Sequence, residues 1–168
     1  NGKVFMKSIF SVCKEIENNL ENRNSVIILR STVKIGTTRK LIKKFKKKIA
    51  FSFCPERTIE GAAIKELSIN PQIIATEDHN TRSIVNKFFY LFNKNLINVN
   101  LFEEGEIIKL FDNTYRDIHF SIGNEFSKIA DNLGLNGSKI LQINNLDYSR
   151  TNIPKPGLVG GPCLEKDP

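Results

Sequence analysis

The chain has 168 residues, 40% of them hydrophobic and 26% charged, with a formal net charge of +7. That length allows one substantial core or two small ones, and no apolar run approaches the roughly 20 residues that span a bilayer. The amino-terminal residues lack the basic-then-apolar layout of a secretory leader, so a cytoplasmic protein with no membrane partner is expected.

In chain order, Phe5, Ile9, Val12, Cys13, Ile16 and Leu20 recur with the helical period and predict an amphipathic helix, ended by the turn chemistry of residues 22–24. Val26-Ile27-Ile28-Leu29 is a continuous apolar run of the kind a buried parallel strand needs. Gly36-Thr37-Thr38 then opens a second helix, with a hydroxyl residue placed to cap its free N–H groups. Much of the positive charge sits in Arg39-Lys40, Lys43-Lys44 and Lys46-Lys47-Lys48. Leu41, Ile42 and Phe45 interrupt that cluster at helical spacing, so it reads as the solvated face of an amphipathic helix, and no nucleic-acid partner is expected. The next strand covers 49–53 and closes at Cys54-Pro55-Glu56. This β-α-β order predicts a parallel sheet with right-handed crossovers. Thr32 and Glu56 then both fall beyond carboxyl ends of strands, where open α/β sheets bind their ligands.

A third strand is predicted at 72–75, and a short aromatic helix at 82–93 with Ile84, Phe88, Phe89 and Phe92 on its inner side. Residues 97–101 alternate like a half-buried strand. From about Glu104 to Leu133 one long helix carries a stripe of Ile107, Phe111, Ile118, Ile122, Phe126, Ile129 and Leu133. Gly123 is the weak point in its interior and Gly134 its stop. A shorter helix at 138–144 precedes a loop rich in Pro and Gly. The residues thus describe the later part of an α/β nucleotide domain and most of a helical domain.

Cys13, Cys54 and Cys163 are odd in number, far apart and without a CxxC pair, so neither a disulfide framework nor a zinc site is indicated. His79 and His119 are too isolated to suggest a metal. Cys163 follows Gly160-Gly161-Pro162, with Lys166 three and Asp167 four residues on. Two glycines let a backbone approach a ligand, and a nearby lysine favours the nucleophilic thiolate. Alone, that string more simply describes a glycine-rich turn with a small buried cysteine.

It has company, however: Ser31-Thr32-Val33 with Gly36-Thr37-Thr38, Cys54-Pro55-Glu56-Arg57 with Glu60-Gly61, Glu106-Ile107-Ile108-Lys109 with Asn113, and Asn124-Glu125. In order and spacing these blocks resemble the UDP-glucose/GDP-mannose 6-dehydrogenase family, over nearly the whole chain. The resemblance implies an α/β fold in which 1–102 form the C-terminal part of a Rossmann-like NAD-binding domain. Residues 103–168 would form an all-helical central domain that makes a homodimer and ends in the catalytic cysteine loop. It implies oxidation of a sugar 6-hydroxyl to a carboxylate with two NAD, Cys163 adding to the intermediate aldehyde to give a thiohemiacetal and then a thioester. Lys109 and Asn113 would oppose oxyanion charge, and Asp167 would orient water. Glu60 would assist acid–base chemistry and thioester hydrolysis, and Glu56 would position water or substrate. Thr32 would relay a proton near the nicotinamide, with Glu60 and Lys166 also at the cofactor. Arg116, Gly160 and Gly161 would line the nucleotide-sugar site, most naturally for a UDP-sugar.

Two blocks depart from the family pattern. Arg57-Thr58-Ile59 stands where many members carry Phe-Leu, and Pro156 to Gly161 spaces its glycines differently. The Cys-Pro-Glu-Arg and Gly-Gly-Pro-Cys variants favour an N-acetylated UDP-hexosamine, whose uronic acid would feed surface polysaccharide. No GxGxxG pyrophosphate loop occurs, so the expectation is a fragment with little activity of its own. The alternative is a catalytically inert dimerisation piece.

Overall fold

A computed structural model describes residues 2–20, 25–45, 49–59 and 61–160. In order they form α1 (Gly2–Asn19), β1 (Val26–Leu29), α2 (Thr37–Lys44), β2 (Ala50–Phe53), α3 (Ala63–Ile69), β3 (Gln72–Ala75), α4 (His79–Tyr90), β4 (Leu96–Val99), α5 (Phe102–Asn132) and α6 (Gly137–Asn144). Two compact units, 1–109 and 110–168, divide within α5.

In the first unit the four strands lie in the order β1-β2-β3-β4. Pairs β1–β2 and β3–β4 are parallel, with Leu29 opposite Phe53 and Ala75 opposite Val99. The expected all-parallel sheet needs correction at its centre, where β2 and β3 meet antiparallel at Phe53 and Ala75. A parallel return requires a helix that packs back across the sheet. The helix between these strands, α3, buries none of its residues, so the chain turns back instead of crossing over. Gln72, the first residue of β3, is thereby brought to the carboxyl edge of β1 and β2.

Alternate strand residues face two layers, which is why β1 is apolar throughout and β2 and β3 are apolar but for Ser52 and Gln72. Ile27, Leu29, Phe51, Phe53 and Ala75 pack with Ile9 and Cys13 of α1, Leu41 of α2 and Phe102. Val26, Ile28, Ile74 and Leu96 pack with Val85 and Phe89 of α4. Two helical stripes differ from expectation. Val12 is exposed on α1, as are Ile84 and Phe88 on α4, while Val85 and Phe89 are buried. Helix α4 begins at His79, where Asp78 accepts the Thr81 N–H at 2.7 Å, and its buried face runs through Thr81, Val85 and Phe89 at four-residue spacing.

The cap of α2 is also unlike the sequence reading. Gly36 occupies the cap position with a left-handed backbone, and no side chain of its own segment caps the helix. Glu106, from the second turn of α5, does so from 68 residues away. Its Oε2 accepts Gly36 N at 2.5 Å, and its Oε1 accepts Thr38 N at 2.8 Å and Thr38 Oγ1 at 2.7 Å. Glu106 and Thr38 have no solvent exposure. A buried carboxylate survives only when its oxygens are satisfied, and a helix amino terminus does that with N–H groups and dipole together. Arg39, expected on a solvated face, instead pairs with Glu77 and Glu103 and lies 5.9 Å from the Phe102 ring centroid. Lys40, Lys43 and Lys44 do face solvent, and Lys46–Lys48 lie outside the described residues. Glu104 accepts the N–H groups of Asn100 and Leu101, fixing where α5 starts. A Cβ on Gly105 would stand 2.8 Å from Ala75 Cβ and 2.9 Å from the Phe53 ring, so this turn lies hard against the sheet.

In the second unit α5 ends at Gly134, which has φ 73°, with Leu135 N donating to Ala130 O. Gly123, a weak point by helix propensity, has a packing reason. A Cβ there would come 2.5 Å from Pro154 O, where the loop after α6 crosses the helix. Two asparagine side chains hold that loop by paired amide bonds. Asn124 bonds N–H and C=O of Gly157 at 2.7 and 2.8 Å, and Asn145 does the same for Ile153 at 2.9 and 2.7 Å. The predicted stripe of α5 is present but largely uncovered within this chain, Phe111, Ile118, Ile122, Phe126, Ile129 and Leu133 being 40–71% exposed. Among the described residues, no helix is long and apolar enough to cross a membrane.

Replacing Glu106 by Gln keeps the shape and removes the charge, and should lower the unfolding free energy by about 1–3 kcal/mol. Gly123→Ala should cost about 1–3 kcal/mol by displacing the Pro154 crossing. Denaturant melts check both, and unchanged midpoints would contradict these assignments. Hydrogen bonding from Arg39 holds Glu103, and from Thr81 holds Asp78, below their ordinary pKa values. Groups depressed in the folded state stabilise above their unfolded pKa and lose that stabilisation as pH falls through the folded one. Thermal midpoints should therefore fall on acidification below about pH 4.

Candidate functional site

The carboxyl edge of the parallel β1–β2 pair gathers the site of the first unit. Because Leu29 is opposite Phe53, Thr32 and Glu56 stand three residues past equivalent positions. Thr32 is half-buried. Past β2 the backbone continues the pairing, Cys54 N donating to Leu29 O at 2.8 Å and Glu56 N to Arg30 O at 3.1 Å. Arg30 and Glu56 are joined by their side chains as well. Arg30 Nη2 and Nε donate to Glu56 Oε2 at 2.6 and 3.2 Å, and Thr58 N donates to Oε1 at 3.0 Å. Arg30 Nη1 also donates to Gln72 Oε1 at 3.2 Å, and its guanidinium carbon lies 5.3 Å from the Phe89 ring centroid.

Burial, the largest single influence on Glu56, pushes its carboxyl up, but hydrogen bonds from Arg30 and Thr58 and the Arg30 charge outweigh it. Glu56 is therefore held below the ordinary glutamate range and is ionised at neutral pH. That suits the expected water- or substrate-positioning role and disfavours proton donation. Its neighbour Cys54 is unsuited to nucleophilic work: fully buried, 3.3 Å from Ser52 Oγ, and pushed up to about 11, chiefly by desolvation. Burial raises Cys13 too.

Lys109 is half-buried on α5, three residues after the Glu106 cap, and closes the first unit. In the second unit Asn113 is fully buried and its Oδ1 accepts Arg116 Nη2 at 2.6 Å; Arg116 is exposed. Gly160, also exposed, is the last described residue, and Glu60, Gly161, Cys163, Lys166 and Asp167 lie outside the described residues. His119 stacks on Tyr115, and His79 is exposed on the first turn of α4. The structure thus brings Thr32 and Glu56 to one edge of the first unit, and Asn113 and Arg116 together in the second.

Sequence reasoning missed Arg30, Gln72 and the structural work of Glu106. A cation immediately after a buried strand, at a carboxyl edge, was a usable signal for Arg30. Gln72 gave none, since its place depends on the antiparallel turn. For a dinucleotide, the chain supplies the β1–β2 edge and the Thr32 hydroxyl. The sequence holds no GxGxxG pyrophosphate loop.

Comparison with known proteins bears on the same edge. Residues 1–93 match the UDP-glucose/GDP-mannose dehydrogenase family, NAD binding domain, and 103–168 match that family's central domain. The UDP-N-acetyl-D-mannosamine dehydrogenase of Methanocaldococcus jannaschii is 37% identical over 158 residues, 92% of this chain and 36% of the relative. Among solved structures, UDP-D-ManNAc dehydrogenase from Pyrococcus horikoshii superimposes with a TM-score of 0.87 at 27% identity, covering 96% of this chain and 40% of that one. The UDP-N-acetyl-mannosamine dehydrogenase of Staphylococcus aureus gives 0.80 at 28%, covering 96% and 41%. The chain spans about a third of the length of the curated relatives it matches. Motif order, sheet edge and these matches agree, and the chain belongs to the UDP-glucose/GDP-mannose dehydrogenase family, with an NAD-binding, Rossmann-like domain followed by a helical central domain.

Proposed function

We propose that this chain is part of an NAD-dependent enzyme that oxidises the 6-hydroxyl of a UDP-N-acetylhexosamine to a carboxylate in two steps. The 37% identity to a UDP-N-acetyl-D-mannosamine dehydrogenase across 92% of the chain is the observation that carries it. When bound, NAD accepts the hydride released in each oxidation. The chain's residues supply the rest. Thr32, at the β1 edge, holds the proton leaving the hydroxyl through water. Lys109 and Asn113 oppose negative charge at the reacting carbon. The Cys163 thiolate adds to the aldehyde carbon to give a thiohemiacetal, which loses the second hydride and becomes a thioester. Water placed by Glu56 and Asp167, with Glu60 taking its proton, then replaces sulfur and releases the thiolate. Arg116, Gly160 and Gly161 contact the sugar nucleotide, and Lys166 and Glu60 the cofactor. The setting is cytoplasmic polysaccharide precursor synthesis.

A second reading concerns assembly, and the uncovered α5 stripe supports it. Large apolar side chains from Phe111 to Leu133 repeat at three- and four-residue spacing and are exposed in a single chain. Such a stripe is suited to a second copy packing along the helix, giving a homodimer. On this reading the 168-residue chain dimerises without turnover of its own.

Full-length protein offered a panel of nucleotide sugars should form two NADH per UDP-N-acetylhexosamine, and Cys163→Ala should abolish or stall the second. No NADH from any sugar would overturn the proposed activity. By sedimentation the 168-residue chain should run as a dimer and Ile118→Glu/Ile122→Glu as a monomer. A wild-type monomer at the highest soluble concentration would contradict the dimer.

A further inference from the structure

We propose that Arg30 is the positioning residue for Glu56, gripping one carboxylate oxygen while the Thr58 N–H holds the other and leaving Glu56 an acceptor-only carboxylate aimed from the sheet edge. The inference rests on the dehydrogenase reading for its catalytic meaning, though not for its geometry. Both nitrogens of the guanidinium fork reach the same oxygen, at 2.6 and 3.2 Å, and the main chains of the two residues are also bonded, Glu56 N to Arg30 O. A planar fork with several donors can do this while satisfying other partners; a lysine ammonium cannot.

Arg30 is itself held from three sides. Its backbone follows β1, its Nη1 is tied to Gln72 at the start of β3, and its plane lies over Phe89 of α4. The antiparallel return of β3 supplies the Gln72 anchor, so the mixed sheet and the carboxylate grip are one device. Among the described residues, the other charged groups lining the cleft around Glu56 are Arg57 and Glu66. Arg57 Nη1 is directed at Pro71 O, 3.5 Å away. Glu66 accepts Ile59 N at 2.8 Å and Asn70 Nδ2 at 3.3 Å, so it braces the 56–59 segment. Arg30 is thus the cation bonded to Glu56 among the described residues. With both oxygens engaged and the charge retained, Glu56 accepts hydrogen bonds from a water or a sugar hydroxyl, and proton transfer falls to another group, Glu60 on the proposed mechanism.

The test is a carboxyl-carbon NMR titration of the 168-residue chain labelled at glutamate, with Glu56→Gln assigning the signal. Wild-type Glu56 should titrate below the ordinary glutamate range. In Arg30→Met burial is opposed by Thr58 alone, and the midpoint should rise to that range or above it, roughly a threefold or greater gain in proton affinity. Arg30→Lys should move it in the same direction by less, and it serves alone if Arg30→Met does not fold. An unmoved midpoint in a variant with a native amide spectrum would overturn the proposal. In the full-length enzyme the acid limb of kcat/KM should move up in Arg30→Met and be partly restored in Arg30→Lys. An acid limb unmoved while the NMR midpoint moves would overturn the catalytic role. Absence of wild-type turnover would instead remove the dehydrogenase reading and leave the titration result standing.

Discussion

A single buried carboxylate does more to set this structure than any other polar group. Glu106 reaches from the second turn of α5 to the amino end of α2, and both its oxygens are taken by N–H and O–H donors. Buried polar oxygens must be hydrogen-bonded, so this contact ties the amino end of α2 to the first turns of α5. One turn earlier on α5, Glu103 meets Arg39, which also holds Glu77 after β3. One turn later comes Lys109. The first turns of α5, as far as Lys109, are thereby fixed to the α/β layer by the Arg39–Glu103 pair on one side and by Gly105 lying close on Phe53 and Ala75 on the other.

The sheet contributes the second constraint. Its parallel half places Thr32 and Glu56 at equivalent offsets beyond the strands, the arrangement open α/β sheets use for ligands. The antiparallel contact at Phe53 and Ala75 then feeds Gln72 to that same edge, where it steadies Arg30. A fully parallel sheet would have placed the carboxyl end of β3 there instead. The departure from regular topology and the organisation of Glu56 are therefore linked.

Much of this was legible from local pattern. The apolar run at 26–29 is a strand to the residue, and 72–75 is one with Gln72 as its single polar position. Gly134 stops α5 as read, and the alternating order of elements gave the layered α/β class. What escaped was long-range. A Thr-Thr pair after glycine looks like its own cap, and nothing near it in the chain reveals that Glu106 supplies one. On α4 the pairs Ile84–Phe88 and Val85–Phe89 both follow the helical period, so periodicity alone does not choose the buried face. Gly123 looked like a defect because its reason, Pro154 crossing the helix, lies 31 residues away. The candidate site was read from motifs more than from periodicity. Of its residues, Thr32 and Glu56 share an edge of the first unit, and Asn113 and Arg116 share a hydrogen bond in the second.

Cys13 and Cys54 are buried and pushed towards the neutral form, and the covalent chemistry proposed above falls to Cys163. Mass spectrometry of full-length protein, acid-quenched during turnover with NAD and UDP-N-acetylmannosamine, distinguishes them directly. A sugar acyl adduct on the peptide containing Cys163, with Cys13 and Cys54 unmodified, is the predicted result. NADH production with no adduct on Cys163, or an adduct on either buried cysteine, would contradict it.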